Sequence, residues 1–515
     1  MSKPVEFEGC DPLAAVLPSA AEEYTLVRAK FLLPMNEDEG FDCRISDGYL
    51  LTKGDSIVEV GKYSAAIGNR LVSEHTSLKI VGLDDAKAER FDNDPVPRLK
   101  GILMPGFVKA HGHDHESPLI GLNKEEQLVG WLDKCVNAFT GFMGSERQSL
   151  IEKFGVSPNL VTYRKARLDD ISFGITSAMT HHCNHNKYRV AEIAQANAEA
   201  GTSMVLAVGA QDRHYDPRIL DTPEGGVARL DRYEDILKDV PRFTLVPGPD
   251  QFFSNGGELL KALKAWSDAK GRLVHIHSSE EPGTTKWFRE TYGMTPVEYA
   301  DSIGFLGPRT VVAHQVNCTE HDLELLAERQ VKVVHNPLAN TILSSGMPPI
   351  PEMIEKGITV AISTDGSGSA DAQNMIGALR ATVQYFRGRD AKPHFPAADL
   401  LSRVTAVPAS ILEMKAGQLR TGFRGDWIVV DCSATCMTPT HIQNCAENIV
   451  WAASGSEVSY VAASGVVLRD NYAFTKCLGF DPETNLSQIE ELTELFLEYR
   501  SKSSEIVATG KRSSE

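Results

Sequence analysis

An apolar run in the stretch 102–116, ILMPGFVKAHGHDHE, ends abruptly in alternating histidines. A strand turns every second side chain to one face, so His111 and His113 are expected to project together, close enough to share one metal ion. Two histidines at this spacing also occur in ordinary polar turns, so further ligands must come from elsewhere in the chain. Three other apolar runs end in comparable chemistry. RLVHIHSSE presents His275 and His277 on one face with Glu280 just beyond, TVVAHQVN carries His314, and ITVAISTDGS ends in Asp365, where glycines let the backbone turn away sharply. Imidazoles and carboxylates gathered at several strand ends can hold a divalent cation and move protons.

The elements that would bring these ends together can be read from a regular alternation. After the run at 102–108 come ISFGITSAMTH, TSMVLAVGAQ, RFTLVPGPDQ, RLVHIHSSE, TVVAHQVN, VKVVHNP and ITVAISTDGS, separated by segments of helical periodicity. This predicts an α/β fold, a (β/α)8 TIM barrel over 101–414 whose strands empty at their C-terminal ends into a polar mouth. Short β-type runs such as YTLVRAKFLL and GYLLTKGDSIVEVG before it, and DWIVVD and VSYVAASGVVLRDNY after it, predict a small β-sandwich domain built from 24–100 and 415–480. Residues 1–23 are expected to be a loose acidic arm, and 481–515 a helix (SQIEELTELFLEYR) followed by a tail.

The formal charge of −17 argues against nucleic acid or an anionic membrane as partner, since both need a basic face. No stretch of 18 apolar residues and no secretory signal is apparent, and nine cysteines lack paired spacing, so a cytoplasmic protein with reduced thiols is expected. A neutral or cationic small molecule is the easiest substrate to accommodate.

The motifs PGFVKAHGH, HIHSSE, AHQVN, HNPLAN and STDGS, in this order and spacing, resemble the amidohydrolase superfamily, in the branch of chlorohydrolases and of guanine and S-adenosylhomocysteine deaminases, over roughly 24–480. The resemblance implies that His111, His113, His277 and Asp365 hold one divalent metal, zinc ahead of iron, that Glu280 shuttles protons, and that His314 polarises the substrate. Three histidines and a carboxylate leave room for a water whose pKa falls to about 7 on zinc, and Asp365 could take its proton. Glu280, raised by burial, would protonate the leaving amine. No lysine ends the fourth strand, PGPDQ, where two-metal relatives carry a carbamylated one, so one metal is expected. His115, His182, His185, His275 and His335 are expected to support the site without ligating, and HHCN lacks the spacing of a second, structural site around Cys183. A homo-oligomer is implied by the resemblance alone.

The implied reaction is deamination of an amino-substituted N-heterocycle of purine, pterin or triazine type. Hydrolysis of a cyclic amide or imidazolone, dehalogenation on the same metal, and an inactive scaffold are the alternatives. Trp131, His181, Asp250 and Gln251 are the candidate substrate contacts, Trp131 being read equally as core. Gly130 and Asp250 stand where nucleoside-type relatives place an acid and a histidine, which predicts a free base or heterocycle with a guanidine-like edge facing Asp250. Asp250 could instead cap a helix in the GPDQFFSN loop.

Overall fold

A computed structural model describes residues 22–512, so the expected N-terminal arm lies almost wholly outside the described residues. The first strands are β1 (Tyr24–Leu32), β2 (Ile45–Lys53), β3 (Ser56–Lys62), β4 (Lys79–Ile80) and β5 (Leu99–Pro105). A helix not anticipated from the sequence, Ala65–Glu74, stands between β3 and β4, with the Ser64 side chain capping it by accepting from the Ile67 N–H. Next come β6 (Phe107–Lys109), β7 (Ile175–His182), β8 (Ser203–Ala210), β9 (Phe243–Pro249), β10 (Val274–Ser278), β11 (Thr310–His314), β12 (Lys332–His335) and β13 (Thr359–Ile362), with helices between them. The chain then returns through β14 (Trp427–Asp431), β15 (Val458–Ala463), β16 (Val466–Asp470) and β17 (Ala473–Phe474).

Strands from both parts of the chain pair into one nine-stranded sheet, ordered β17-β16-β15-β14-β5-β1-β2-β3 with β4 beside β1, where the sequence suggested a sandwich. Its central strands are buried on both faces, and the period of two decides which core each residue joins. Leu99, Leu103, Trp427 and Val429 pack with Val27, Leu32 and Leu50 on one face of this sheet. Ile102, Met104, Ile428 and Val430 pack instead with Leu168, Ile171 and Ile175 of the α/β part.

The apolar run expected to be one barrel strand is therefore two strands. ILMP belongs to β5, antiparallel to β14, and only Phe107–Lys109 enters the α/β part, beside β7. The break falls at Gly106, whose N–H donates to the Asp426 carbonyl while the next N–H, of Phe107, donates to Gly174. The eight strands β6–β13 form two parallel four-stranded sheets, β6-β7-β8-β9 and β10-β11-β12-β13. At one margin they meet through a parallel bridge between Gln251 and His277. At the other, the Ser363 hydroxyl donates to the His111 carbonyl at 2.8 Å. The C-terminal helix runs Pro482–Arg512, through most of the segment read as a tail, and seats Leu492 and Phe496 against Trp131 and Phe139. No helix among the described residues is long and apolar enough to cross a membrane.

Candidate metal and proton-transfer site

The strand ends converge as the sequence predicts, although His111 and His113 are not on a strand. They follow β6 in the loop, their rings nearly perpendicular at 87° and 5.0 Å apart. His277 lies within β10, and Asp365 comes three residues after β13.

What fits these histidines to hold a metal ion is how the far side of each ring is held. The Nδ1 of His113 meets the His181 carbonyl at 3.0 Å and that of His277 meets the Asp250 carbonyl at 2.7 Å, so both carry a proton there and present Nε2 as a lone pair. His111 lies with Nδ1 3.1 Å from the Nε2 of His275, a ring stacked on it at 4.8 Å, and its own Nε2 is buried without a hydrogen-bond partner in the protein. The three Nε2 atoms point to one place: those of His113 and His277 are 3.1 Å apart, and Asp365 Oδ1 lies 3.2 Å from that of His111 and 3.5 Å from that of His113. His111, His113 and Asp365 offer donor atoms within 4.8 Å of one another, as do His111, His277 and His314. Burial, followed by the neighbouring imidazoles, drives the pKa of His111 well below its ordinary value, which keeps the ring neutral and able to ligate.

Asp365 and His314 sit at φ 81° and 75°, in the left-handed region that L-residues avoid. The turn after β13 is thus made by Asp365 itself, whereas Gly366 has an ordinary φ of −70°. Gly366 is needed for closeness: a Cβ there would lie 2.1 Å from Glu116 Oε2 and 3.0 Å from the His113 Cβ. The strained aspartate is held by the Gly366 N–H donating to its Oδ1 at 2.8 Å and the Gln373 amide donating to its carbonyl at 3.1 Å. Gln373 in turn accepts from Lys109, whose ammonium also donates to Asp170 at 2.8 Å.

A further imidazole and a buried carboxyl face this cluster. His314 Nε2 is 3.6 Å from Glu280 Oε2 and 3.7 Å from Asp365 Oδ2, while its Nδ1 meets Asn340 Oδ1 at 2.9 Å, which fixes the ring. Glu280 is 6% exposed and burial pushes its carboxyl up to about 8, so at neutral pH it carries a proton it can donate.

Asp250, Gln251 and Trp131, the candidate substrate contacts, line the pocket beside the cluster. Asp250 caps no helix. Its Oδ2 accepts from the Tyr215 hydroxyl, and the N-terminus of Gly257–Lys270 is served by Asp212, which accepts from the Gly256 N–H. His181 does not reach the pocket. It is fully buried, with Nε2 2.8 Å from the Gly248 carbonyl and its ring edge-on to His277, so it packs beneath the cluster. His115 and Cys183 line the pocket, His182 is buried against Tyr163, and His335 is buried without a protein partner on either nitrogen. Sequence reasoning missed Glu116, Tyr215 and Ser369. Glu116 lines the pocket, accepts at one oxygen from the Ser369 N–H (3.0 Å) and hydroxyl (2.9 Å), and is raised to about 8 by burial and then by Asp365. Its position directly after HGHDH was the available signal. Tyr215, in the irregular segment after β8, had none.

A profile of the amidohydrolase family matches residues 102–468. The chain is 29% identical to a 5-methylthioadenosine/S-adenosylhomocysteine deaminase of Aquifex aeolicus, over 79% of this chain and 93% of the relative. It is 30% identical to a 5′-deoxyadenosine deaminase of Methanothermobacter thermautotrophicus, over 72% of this chain and 82% of the relative. The structure superposes on zinc-complexed atrazine chlorohydrolase of Arthrobacter aurescens with a TM-score of 0.78 at 21% identity, covering 91% of this chain and all (100%) of the other. The chain belongs to the amidohydrolase family. Within it, the protein is a hydrolase acting on carbon–nitrogen bonds other than peptide bonds.

Proposed function

We propose that the protein is a one-metal deaminase of an amino-substituted N-heterocycle, with His111, His113, His277 and Asp365 as ligands. The observation that carries this is the convergence of three Nε2 lone pairs and a carboxylate beside the Glu280–His314 pair. Three imidazoles and one carboxylate suit zinc first and iron second. An ion held there supplies an acidified water and a positive charge for the oxygen that becomes negative. Asp365, with Oδ2 free of the ligand side, accepts a proton from the attacking water. His314, fixed by Asn340, orients the ring, and Glu280 donates the proton that lets ammonia leave as the C–N bond breaks and the ring carbon keeps the water's oxygen. Trp131, Asp250, Gln251 and Glu116 hold the heterocycle. The deaminase names of the curated relatives support release of ammonia over release of halide.

The two four-stranded sheets are read as halves of one closed (β/α)8 barrel at 101–414, supported by the contacts at both margins. The nine-stranded sheet from 24–100 and 415–480 is read as a second domain, and 481–515 as an appended helix. Eight free cysteines among the described residues fit a reducing, cytoplasmic setting. Homo-oligomerisation rests on the family resemblance. The test is elemental analysis of the purified protein together with ammonia and halide release on a panel of amino- and chloro-substituted purines, pterins and triazines. About one metal per chain and ammonia release are expected, and halide release alone would overturn the deaminase reading.

A further inference from the structure

Among the cysteines of the described residues, only Cys183 lines the pocket beside the histidines. The HHCN run gives it no paired spacing, and its neighbours with donor atoms come from other strand ends. His181 in β7, Cys183 just after it and Asp250 just after β9 offer donor atoms within 4.8 Å of one another, as do Cys183, His113 and His115. Two of these rings have a nitrogen to spare. His181 Nε2 donates to the Gly248 carbonyl at 2.8 Å, so its Nδ1 is a lone pair, and that atom is buried with no hydrogen-bond partner in the protein. His115 is 2% exposed, and its Nδ1 is likewise buried without a partner. Asp250 gives Oδ2 to the Tyr215 hydroxyl, which leaves Oδ1 for a cation.

We propose that Cys183, His181 and Asp250 form a second cation site at the base of the pocket, with His115 as a fourth donor, and that it takes a soft or borderline divalent ion such as cadmium, or zinc in excess. One sulfur, imidazole nitrogens and a single carboxylate suit these ions, whereas magnesium and calcium need shells of oxygen. On binding, the S–H bond breaks, the sulfur keeps the electron pair and bonds the ion, and the proton leaves to solvent.

The same step sets the order of filling. The Nε2 atoms of His113 and His277 are already lone pairs, so the histidine cluster loses no proton there when it binds metal. The Cys183 thiol is held above its ordinary pKa by burial and then by Asp250, so its site fills only when metal exceeds one ion per chain. An ion on Asp250 takes the carboxylate that the deaminase reading gives to the heterocycle, in a pocket with only about 40 Å³ of free space. The second ion therefore competes with substrate. Only this competition builds on the deaminase reading; the site itself stands whatever the reaction.

The test titrates cadmium into the purified protein after its resident metal has been measured, reading thiolate-to-cadmium charge-transfer absorption, bound cadmium by elemental analysis, and turnover. One cadmium per chain beyond the resident ion is expected, with the absorption and with inhibition that rising substrate relieves. Cys183→Ser should lose both the extra ion and the absorption. His115→Asn, which keeps the thiol and serves if the first variant folds poorly, should weaken cadmium at least about tenfold. His277→Ala, which depletes the resident ion, should keep the absorption. No extra cadmium, absorption undiminished in Cys183→Ser, cadmium affinity unchanged in His115→Asn, or absorption lost with His277 would each overturn the site. An extra ion on Cys183 that leaves turnover untouched would overturn the competition, while the absorption without ammonia release from any substrate would uphold the site and overturn the deaminase reading.

Discussion

The nine-stranded sheet and the mouth of the α/β part bury polar groups in opposite ways. In the sheet, Arg28 is 4% exposed, yet its guanidinium reaches Asp47 at 2.7 Å, Asp94 at 2.8 Å and the Val96 carbonyl at 2.8 Å, and lies 3.8 Å over the Tyr63 ring. At the mouth, His111 Nε2, His115 Nδ1, His181 Nδ1, His275 Nδ1 and both nitrogens of His335 find no hydrogen-bond partner in the protein. In the sheet the buried charge is closed by partners within the protein, whereas beside the pocket several imidazole nitrogens converge without one.

The largest effect should follow from removing a convergent group. His277→Ala takes away one of three aligned lone pairs, so metal content should fall well below one per chain and turnover should be lost, while the thermal transition of the metal-free protein stays near that of the parent. Full occupancy by elemental analysis would remove His277 from the ligand set. The sheet should answer in reverse. Arg28→Ala leaves Asp94 buried without its charge partner, which should cost about 3–5 kcal/mol of stability in denaturant unfolding, with metal content and kcat per folded molecule unchanged. A loss of kcat larger than the loss of folded protein would break the contrast between the regions.

Smaller again is Glu280→Gln, which keeps shape and metal but cannot donate a proton, so turnover should slow by about a hundredfold or more, near 3 kcal/mol, with metal content unchanged. A variant as fast as the parent would shift proton transfer to another group, Glu116 being the other carboxyl in the pocket raised to about 8.

The difference between the regions also governs what can be read from the chain alone. The meeting of His111, His113, His277, Glu280, His314 and Asp365 was legible because each polar residue interrupts or follows an apolar run, and polar strand ends are local events in sequence. The doubling of ILMPGFV into β5 and β6 was not, because one continuous buried run serves two sheets and only the tertiary partners β14 and β7 separate them. The left-handed turn at Asp365 was assigned to the wrong residue, since a glycine beside it is the usual carrier of positive φ and here supplies closeness instead. Asp250 was legible as a pocket residue, but its Tyr215 partner comes from irregular chain with no periodicity to read.

The smallest effect expected tests whether every unpartnered histidine at the mouth belongs to the chemistry. His335 is fully buried two strands from the ligand-bearing end of β10, and burial, followed by His314, lowers it from 6.5 to about 3. The folded protein therefore keeps this ring neutral while the unfolded chain takes up a proton, so between pH 6.5 and about 3 the unfolded state binds more protons and stability falls as pH falls. The slope approaches about 1.4 kcal/mol per pH unit from this residue once the pH is well below 6.5. His335→Asn, which cannot titrate, should flatten the acid limb of unfolding free energy against pH for the metal-free protein, with the parent and variant curves running parallel above pH 7. An acid limb of unchanged slope would show that His335 is protonated in the folded state, and the unpaired nitrogens under His314 would then have to be counted with the site.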